Sequence, residues 1–438
     1  MQTASMTRIA EKWAIRHMAK GVHVTASRDD VRIEFDHHSQ ENARCPWPIL
    51  EKLRHSCPVG WTDAHGGYWV VTRHADVTAG LRDWQMFSSR HEDPDDEGVA
   101  FGGQAIPPYP FKTSVAESDP PDSLKLRDFL VPEFSATAVA AFRPGIHRIA
   151  AECIEARAEA GTIDIVMDFV NQVPAKATLR MLGMDPETWH FYALPMHEIC
   201  HAAPGTPQFE RASAGLAESR DHVGAVVDDR LASPRDDIVS RIAAAVIDGE
   251  PIGREVAVDL VWTLVMGGLE TVTGVMAYTL RYLSQNPAAK ERLLADKGLI
   301  PRACDEFMRY FTPSRGIGRT VTHDGEFAGV QMRRGERVLM SLASSNHDEA
   351  VFDRPEEVIL DRSPNRHLVF GNGVHRCPGD RLAKAELEII VQEALERIPD
   401  FEVIEEETVE YQTMPMTTGF VTMPARFTPR AARPVPAA

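Results

Sequence analysis

The longest apolar helical run of the sequence, Glu255 to Leu283, most limits how the chain can fold. It contains Asp259 and Glu270, and each acid near the centre of a bilayer costs about 3 kcal/mol. The run therefore predicts a helix buried through the middle of a globular protein, not a membrane span. Its centre holds two adjacent glycines, Gly267 and Gly268. Because each costs about 1 kcal/mol relative to alanine in a helix interior, something needs space at this point of the backbone.

A carboxyl and a hydroxyl group directly follow the glycines. Glu270 and Thr271 place a proton-capable pair beside the predicted opening. The alternative is a hydroxyl of Thr271 that bonds back to a carbonyl of its own helix, and it would be favoured if the motif stood alone.

The second constraint is a glycine-rich loop at 370–379 with the sequence FGNGVHRCPG. Glycines allow a tight turn in which the backbone approaches a bulky partner. His375, Arg376 and the N-terminus of a helix predicted from Asp380 favour the thiolate of Cys377, which is the form that ligates metals. For an arbitrary single cysteine, a buried free thiol would be the better interpretation.

Charge and cysteine usage limit the classes of partner. The net charge of −17 argues against nucleic acid or an anionic membrane as the main partner. The six cysteines are scattered, which predicts neither a disulfide framework nor a zinc site and fits a cytoplasmic setting. The first thirty or so residues lack an apolar stretch, so we expect no signal peptide and no membrane anchor there. His190, His197 and His201 are interpreted as solvent-facing or capping residues.

The cysteine loop matches F-x-x-G-x-x-x-C-x-G, and by this signature the chain resembles the cytochromes P450. Three more signatures follow the family's order: GGLET at 267–271, the E-x-x-R pair Glu306 and Arg309, and Arg319 six residues after Pro313. The resemblance covers about residues 45 to 427. It is closest to the bacterial soluble class that includes the camphor hydroxylase.

The fold implied by the resemblance is mainly α, a triangular helical domain with a small β-rich lobe. We expect an N-terminal extension over 1–40 that is partly mobile, a single haem-binding monooxygenase domain over 41–427, and a disordered Pro/Ala-rich tail over 428–438.

The resemblance also implies roles for site residues. Cys377 corresponds to the thiolate ligand of haem b, whose electron density favours O–O cleavage, and Glu270 and Thr271 correspond to the pair that delivers protons. The remaining cofactor contacts implied are Phe370, Gly371 and Gly379 in the loop, and Arg127, Arg319, His367 and His375 at the propionates. Ser123 stands where family members commonly have a propionate histidine, so that contact stays open. The implied buried structural triad is Glu306, Arg309 and Arg362.

A mostly apolar set of residues is expected to line the substrate pocket: Ile106, Tyr109, Phe111, Thr263, Met266, Gly267, Ile317, Met416 and Thr417. Arg315 either faces solvent in a turn, which we favour, or reaches towards a polar group of the substrate.

The implied activity is insertion of one oxygen atom of O₂ into a hydrophobic small molecule such as a terpenoid, steroid or aromatic. Electrons would come from a ferredoxin and its reductase, because the chain has no flavin or iron–sulfur motif. A basic docking patch for the ferredoxin is expected from Lys125, Arg127, Arg376, Arg381 and Lys384. A haem-thiolate peroxygenase or reductase and a non-catalytic haem sensor are the alternatives, and neither needs Glu270 and Thr271.

Overall fold

A computed structural model of the chain describes residues 25–93, 101–108, 112–113, 115–203, 205–413 and 417–435. Helices dominate these ranges. The α-helices are α1 (Gln40–Arg44), α2 (Trp47–Ser56), α3 (His74–Arg82), α4 (Asp122–Leu130), α5 (Ala136–Glu155), α6 (Gln172–Leu182), α7 (Trp189–Ile199), α8 (Pro207–Ala232), α9 (Ile238–Ala243), α10 (Arg254–Gln285), α11 (Pro287–Ala295), α12 (Ile300–Phe311), α13 (Leu342–Ser345) and α14 (Asp380–Arg397).

Short strands form one larger sheet and several small ones. The strands are β1 (Val59–Thr62), β2 (Tyr68–Val71), β3 (Phe87–Ser88), β4 (Thr162–Asp164), β5 (Val246–Ile247), β6 (Glu250–Pro251), β7 (Ile317–Val321), β8 (Gly325–Phe327), β9 (Val330–Met332), β10 (Arg337–Met340), β11 (Glu402–Val403), β12 (Val409–Glu410), β13 (Phe420–Thr422) and β14 (Pro424–Arg426). The larger sheet has the order β1-β2-β10-β7-β3, and a three-stranded sheet has the order β11-β14-β4.

Helix α10 is the central element of the helical part. Among the described residues it is the one helix long and apolar enough to cross a membrane, but 78% of its most apolar window is buried inside the protein. It packs against α6, α7, α8 and α14. Gly268 lies where α6 comes closest, since a Cβ there would be 2.3 Å from Oγ1 of Thr178. This close approach explains one of the two adjacent glycines at the centre of the helix.

The β-rich lobe joins distant parts of the chain. Strand β2 is antiparallel to β1 and parallel to β10, and β10 is antiparallel to β7. Trp69 and Val71 of β2 and Val338 of β10 are fully buried and share one hydrophobic cluster. The predicted architecture, mainly α with a small β-rich lobe, is confirmed.

The two ends of the chain are packed where they are described. In the predicted extension, Ala26 pairs with Val330 and Arg32 with Trp61. In the predicted disordered tail, Arg430 donates hydrogen bonds to Glu155. A disordered tail is therefore wrong for residues 428–435, because a buried carboxylate holds the chain there.

Candidate functional site

The cysteine loop is a tight turn held by its own backbone. Gly373 has φ +71°, and a Cβ there would lie 2.5 Å from the carbonyl oxygen of Leu81. The amide of Cys377 donates to the carbonyl of Phe370 at 2.8 Å. Burial raises the pKa of the Cys377 thiol, whereas the amide of Gly379 and the guanidinium of Arg127 lower it. Since a coordinated thiol is deprotonated by the metal, this sulfur suits a metal ligand.

Cationic and polar side chains surround the loop. Ser89 Oγ lies 3.0 Å from Nε2 of His375, and the same nitrogen is 3.9 Å from Asp119. Asp119 also accepts from Ser88 Oγ at 2.6 Å. Burial raises the pKa of Asp119, but hydrogen bonds from His375, Ser88 and Ser89 outweigh burial and lower this pKa to about 2.

Arg319 is the most deeply buried cation of this group. It is 2% exposed, and within the described ranges no carboxylate lies within ion-pair distance of it. Its Nη1 donates to the carbonyl of Gly318 at 2.8 Å. Burial lowers the pKa of Arg319 to about 10, against the attraction of Asp119 and Glu117. A buried guanidinium is costly unless an anion pairs with it, so the donor set fits a group that brings its own carboxylates.

His367, a predicted propionate contact, and Ser123, whose contact stayed open, each have a buried polar atom without a hydrogen-bond partner among the described residues, namely Nδ1 of His367 and Oγ of Ser123. The described contacts of His367 are with Phe370, at 5.9 Å between ring centroids, and with Asp305 at 3.9 Å, and none joins it to Arg127, Arg319 or His375. Ser123 is 2% exposed and its buried Oγ has no hydrogen-bond partner among the described residues. An unsatisfied buried hydroxyl is costly, which fits a polar partner at this position.

One side of α10 is open although the rest of the helix is buried. Gly267 and Thr271 are exposed and Thr263 is partly exposed, at a spacing of four residues. A Cβ at Gly267 would have no atom within 4 Å. The hydroxyl of Thr271 donates to the carbonyl of Gly267 at 3.0 Å. The helix thus presents a shallow notch with a hydroxyl at its edge.

Glu270 points away from this notch. It is 1% exposed, and its Oε1 accepts a hydrogen bond from the hydroxyl of Tyr411 and lies 3.4 Å from Nδ1 of His197. Burial lowers the pKa of His197, but the carboxylate of Glu270 raises it by more. The pKa of His197 is therefore above its ordinary value. Oε2 of Glu270 is buried without a partner among the described residues. The interpretation of His197 as solvent-facing or capping is therefore wrong, because it is 5% exposed and faces this carboxylate.

The structure brings Glu306, Arg309 and Arg362 together. Arg309 donates two hydrogen bonds of 2.8 Å to Glu306, and Nε of Arg362 donates to both of its oxygens at 2.9 and 3.0 Å. Asn365 and the amide of Ile359 supply further donors. Glu306 and Arg309 are 0% exposed. Such saturation of both oxygens is what a buried ion pair needs.

The residues predicted to line the pocket are dispersed. Tyr109, Phe111 and Met416 lie outside the described residues. Ile106 and Thr417 are buried, and Met266, 5% exposed, belongs to the main hydrophobic core. Ile317 is partly exposed and lies near Gly371.

Arg315 is buried. It is 7% exposed and donates to the carbonyl of Asn42, so the preferred interpretation as a solvent-facing residue is wrong. Its guanidinium lies 5.7 Å from the ring centroid of Trp47.

The comparisons with known proteins agree on one family. A sequence model of the family described as cytochrome P450 matches residues 219–429. The mycinamicin IV hydroxylase/epoxidase of Micromonospora griseorubida is 30% identical over 334 residues, which cover 76% of this chain and 82% of that protein. The chain belongs to the cytochrome P450 family.

Further similar proteins extend the match over most of this cytochrome P450. Cytochrome P450 109 of Bacillus spizizenii is 28% identical over 400 residues, covering 89% of this chain and 94% of that one. The crystal structure of CYP109E1 from Bacillus megaterium in complex with testosterone has a TM-score of 0.78 and 26% identity, and the match covers 89% of this chain and 100% of the other.

The family fixes the cofactor and the type of reaction. Cytochromes P450 bind haem b through a cysteine thiolate, and this chain is a cytochrome P450 monooxygenase. The buried Arg319 without a carboxylate, the unsatisfied Ser123 and the notch at Gly267 fit that group.

Sequence reasoning missed two side chains of this site. Tyr411 lies 141 residues after Glu270, and His197 lies 73 residues before it. The signal for His197 was its position in the apolar helix α7, which buries Met196 and Ile199 on either side. No local pattern marks Tyr411.

Proposed function

We propose that this cytochrome P450 holds haem b through Cys377 and inserts one oxygen atom of O₂ into a hydrophobic small molecule. The observation that carries the proposal is the sulfur of Cys377 under the amide of Gly379 at the N-terminus of α14. Bound haem supplies the iron at which O₂ is activated, and the second oxygen atom leaves as water.

The side chains around the loop have separate roles in holding the cofactor. Arg127, Arg319 and His375 would bind the propionates, since guanidinium groups bind carboxylates in bidentate geometry. Ser123 would add a hydrogen bond, Phe370 would pack against the ring, and Gly371 and Gly379 leave room for it. His367 would bind a propionate through its buried, unpartnered Nδ1, while its contacts with Phe370 and Asp305 orient the ring.

Proton delivery is assigned to Thr271 and Glu270. Thr271 stands at the open side of α10 with its hydroxyl on the carbonyl of Gly267. Glu270 lies one residue before it on the buried side, where Tyr411 and His197 hold its carboxylate. A proton would reach the notch by rotation of the Glu270 side chain and pass to the hydroxyl of Thr271 through water.

The substrate is proposed to be a hydrophobic small molecule of terpenoid, steroid or aromatic type. Relatives favour the larger of these, because they include a steroid C26-monooxygenase of Mycobacterium tuberculosis and an epothilone C/D epoxidase of Sorangium cellulosum. Thr263, Gly267 and Ile317 would form part of the pocket wall.

Ferredoxin and its reductase are the proposed electron donors, and the cytoplasm is the proposed location. A panel of terpenoids, steroids and aromatic compounds, screened by the shift of the haem absorption band, would identify the class of compound that binds.

The absorption spectrum of the reduced, carbon monoxide-bound protein tests the ligand. We expect the thiolate-type band in the native protein, its loss in Cys377→Ser, and its retention in the control Cys45→Ser, whose thiol is exposed. A band typical of imidazole ligation in the native protein would contradict the proposal.

The role of Thr271 is tested by coupling. Thr271→Ala is expected to divert electrons from product to hydrogen peroxide, whereas Thr271→Ser retains coupling. Product formed per electron consumed, with peroxide measured in parallel, is the readout. Unchanged coupling in the alanine variant would rule out the assigned proton delivery.

A further inference from the structure

Arg337, the first residue of strand β10, binds several backbone oxygens of one short segment, residues 101–105. Its Nη2 donates to the carbonyl of Gly103 at 2.9 Å and to the carbonyl of Ala105 at 2.7 Å. Its Nη1 donates to the carbonyl of Phe101. Hydrogen bonds from a charged donor are stronger than those between neutral groups, so this one side chain holds the whole segment.

Two glycines let the segment come close to charged side chains. Gly102 and Gly103 have φ of +85° and +61°, a left-handed backbone that favours glycine. A Cβ at Gly102 would overlap Nη1 of Arg337, and a Cβ at Gly103 would overlap Oε1 of Glu117. Glu117 is 2% exposed, and its Oε1 accepts from the amide of Gln104 at 3.0 Å. The segment is therefore built around a guanidinium on one side and a buried carboxylate on the other.

The same segment is bonded to strand β7 on both sides of Arg319. The amide of Gly318 donates to the carbonyl of Gln104 at 2.7 Å, and the hydroxyl of Thr320 donates to the carbonyl of Phe101. The hydroxyl oxygen of Thr320 in turn accepts from Nη1 of the β10 guanidinium at 2.9 Å. Because both neighbours of Arg319 are tied to the segment, a shift of the segment would shift this buried cation as well.

The charges of Arg337 and Arg319 act on each other. Burial and then the charge of Arg319 lower the pKa of Arg337 to about 10, against the attraction of Glu117. Both guanidinium groups are therefore charged near pH 7. Backbone carbonyls of the segment stabilise the charge of Arg337, which leaves the charge of Arg319 for an anionic group.

We propose that Arg337 is a positioning residue for the haem site, because it holds the segment 101–105 against β7 and thereby keeps Arg319 in place for a haem propionate. The inference rests on the proposed function, in which Arg319 binds a propionate. Arg337 acts through the segment and through Arg319. Loss of its hydrogen bonds frees the segment, loosens β7 at Gly318 and Thr320, and weakens the retention of haem.

The rate at which the haem-loaded protein releases its cofactor tests this role. Transfer of haem to an excess of apomyoglobin is followed for the native protein and for Arg337→Met. We expect release from the variant to be roughly tenfold faster, since a hydrogen bond to a charged group contributes on that order. The control Arg333→Met, at an exposed arginine between β9 and β10, should release haem at the native rate.

A double-variant cycle separates this role from a general loss of stability. Arg319→Met should also release haem faster, and Arg337→Met/Arg319→Met should exceed it by no more than about twofold. Multiplication of the two single effects would show that Arg337 does not act through Arg319 and would overturn the inference. A native rate in Arg337→Met would overturn the inference alone, whereas a native rate in Arg319→Met would overturn the propionate contact and the inference with it.

Hydrogen exchange reports on the segment itself. The amides of residues 101–103 donate to the carbonyls of Arg90 and His91 at 3.0 Å. In the haem-loaded Arg337→Met they should exchange roughly tenfold faster, while the amides of α10 keep their native rates. Thr320→Val removes one hydroxyl from the contact and should cause the same change at smaller size, also where Arg337→Met does not fold. Native exchange of residues 101–103 in the folded variants would overturn the proposal.

Discussion

The buried carboxylate of Glu306 shows how one side chain can support a distant loop. It accepts hydrogen bonds from Arg309, Arg362, Asn365 and the amide of Ile359, so it holds α12 against the chain that leads to the cysteine loop. Removing one member of such a group leaves the others charged and unpaired in a dry environment.

We predict that Glu306→Ala lowers the free energy of unfolding by about 3–5 kcal/mol and impairs retention of haem. Urea denaturation and the haem content of the purified protein measure the two effects. The matched control is Glu402→Ala, because Glu402 pairs with Arg426 on the surface and exposed pairs contribute little. Full haem content together with native stability in Glu306→Ala would refute the supporting role.

The pair of His197 and Glu270 predicts a pH dependence of stability. Although burial opposes it, Glu270 raises the pKa of His197 above 6.5. The native state therefore binds a proton that the unfolded state releases first. The stabilisation of the native state by protonated His197 is fully present below pH 6.5. It is lost as the pH rises through the raised pKa of His197.

Denaturation at a series of pH values measures this effect. Stability of the native protein should fall from pH 6.5 upwards more steeply than that of His197→Gln. The control His190→Gln should follow the native curve. Parallel curves for the native protein and His197→Gln would contradict the pairing.

At the scale of the element, the two adjacent glycines of α10, Gly267 and Gly268, have opposite environments. A Cβ at Gly268 would meet Thr178, whereas a Cβ at Gly267 would have no neighbour within 4 Å. The same sequence feature thus serves close packing on one side of the helix and an open notch on the other.

We predict opposite changes in stability for the two alanine variants. Gly268→Ala should destabilise the protein by about 1–3 kcal/mol, because the methyl group overpacks the contact with α6. Gly267→Ala should stabilise the haem-free protein by about 1 kcal/mol, because alanine favours the helix and no described atom lies within 4 Å of the new Cβ. The free energy of unfolding of both variants, measured by thermal or chemical denaturation, tests this prediction. Equal changes in stability for the two variants would contradict the prediction and would indicate that Thr178 moves away from position 268.

The periodicity of apolar residues predicted the helices better than it predicted the long-range contacts of individual side chains. The apolar run Glu255 to Leu283 corresponds to α10, Arg254–Gln285, and the helix predicted from Asp380 corresponds to α14, Asp380–Arg397. Burial of Arg315 and the orientation of Glu270 depend on contacts with Asn42 and Tyr411. Such long-range contacts leave no trace in the spacing of neighbouring residues. The roles of Cys377 and its surroundings stay predictions.

At the scale of the whole molecule, charge is distributed unevenly around the cysteine loop. The chain carries a net charge of −17, and several cations of the expected docking patch are already paired. Arg376 pairs with Asp380 at 2.6 Å and Lys384 with Asp305 at 2.7 Å. Arg381 is exposed and forms no ion pair with a described residue. It is therefore the cation most available to an acidic ferredoxin.

We predict that Arg381→Glu slows ferredoxin-dependent reduction roughly tenfold at low salt. The difference from the native protein should shrink as ionic strength rises, because salt screens exposed charges. Stopped-flow reduction at several salt concentrations measures both trends. Arg333→Glu is a matched reversal at another exposed arginine. Equal rates for both variants and the native protein would exclude docking at Arg381.

The pairing of β4 with β14 has a consequence for synthesis of the chain. Asp164 is paired with Pro424, and Arg430 further along bonds to Glu155, so the end of the chain completes the structure near its first third. At typical elongation rates, translation of the roughly 260 residues between the two strands takes about 13–50 s. During that time β4 lacks this neighbour. The first third of the chain therefore completes its packing only after the last segment has left the ribosome.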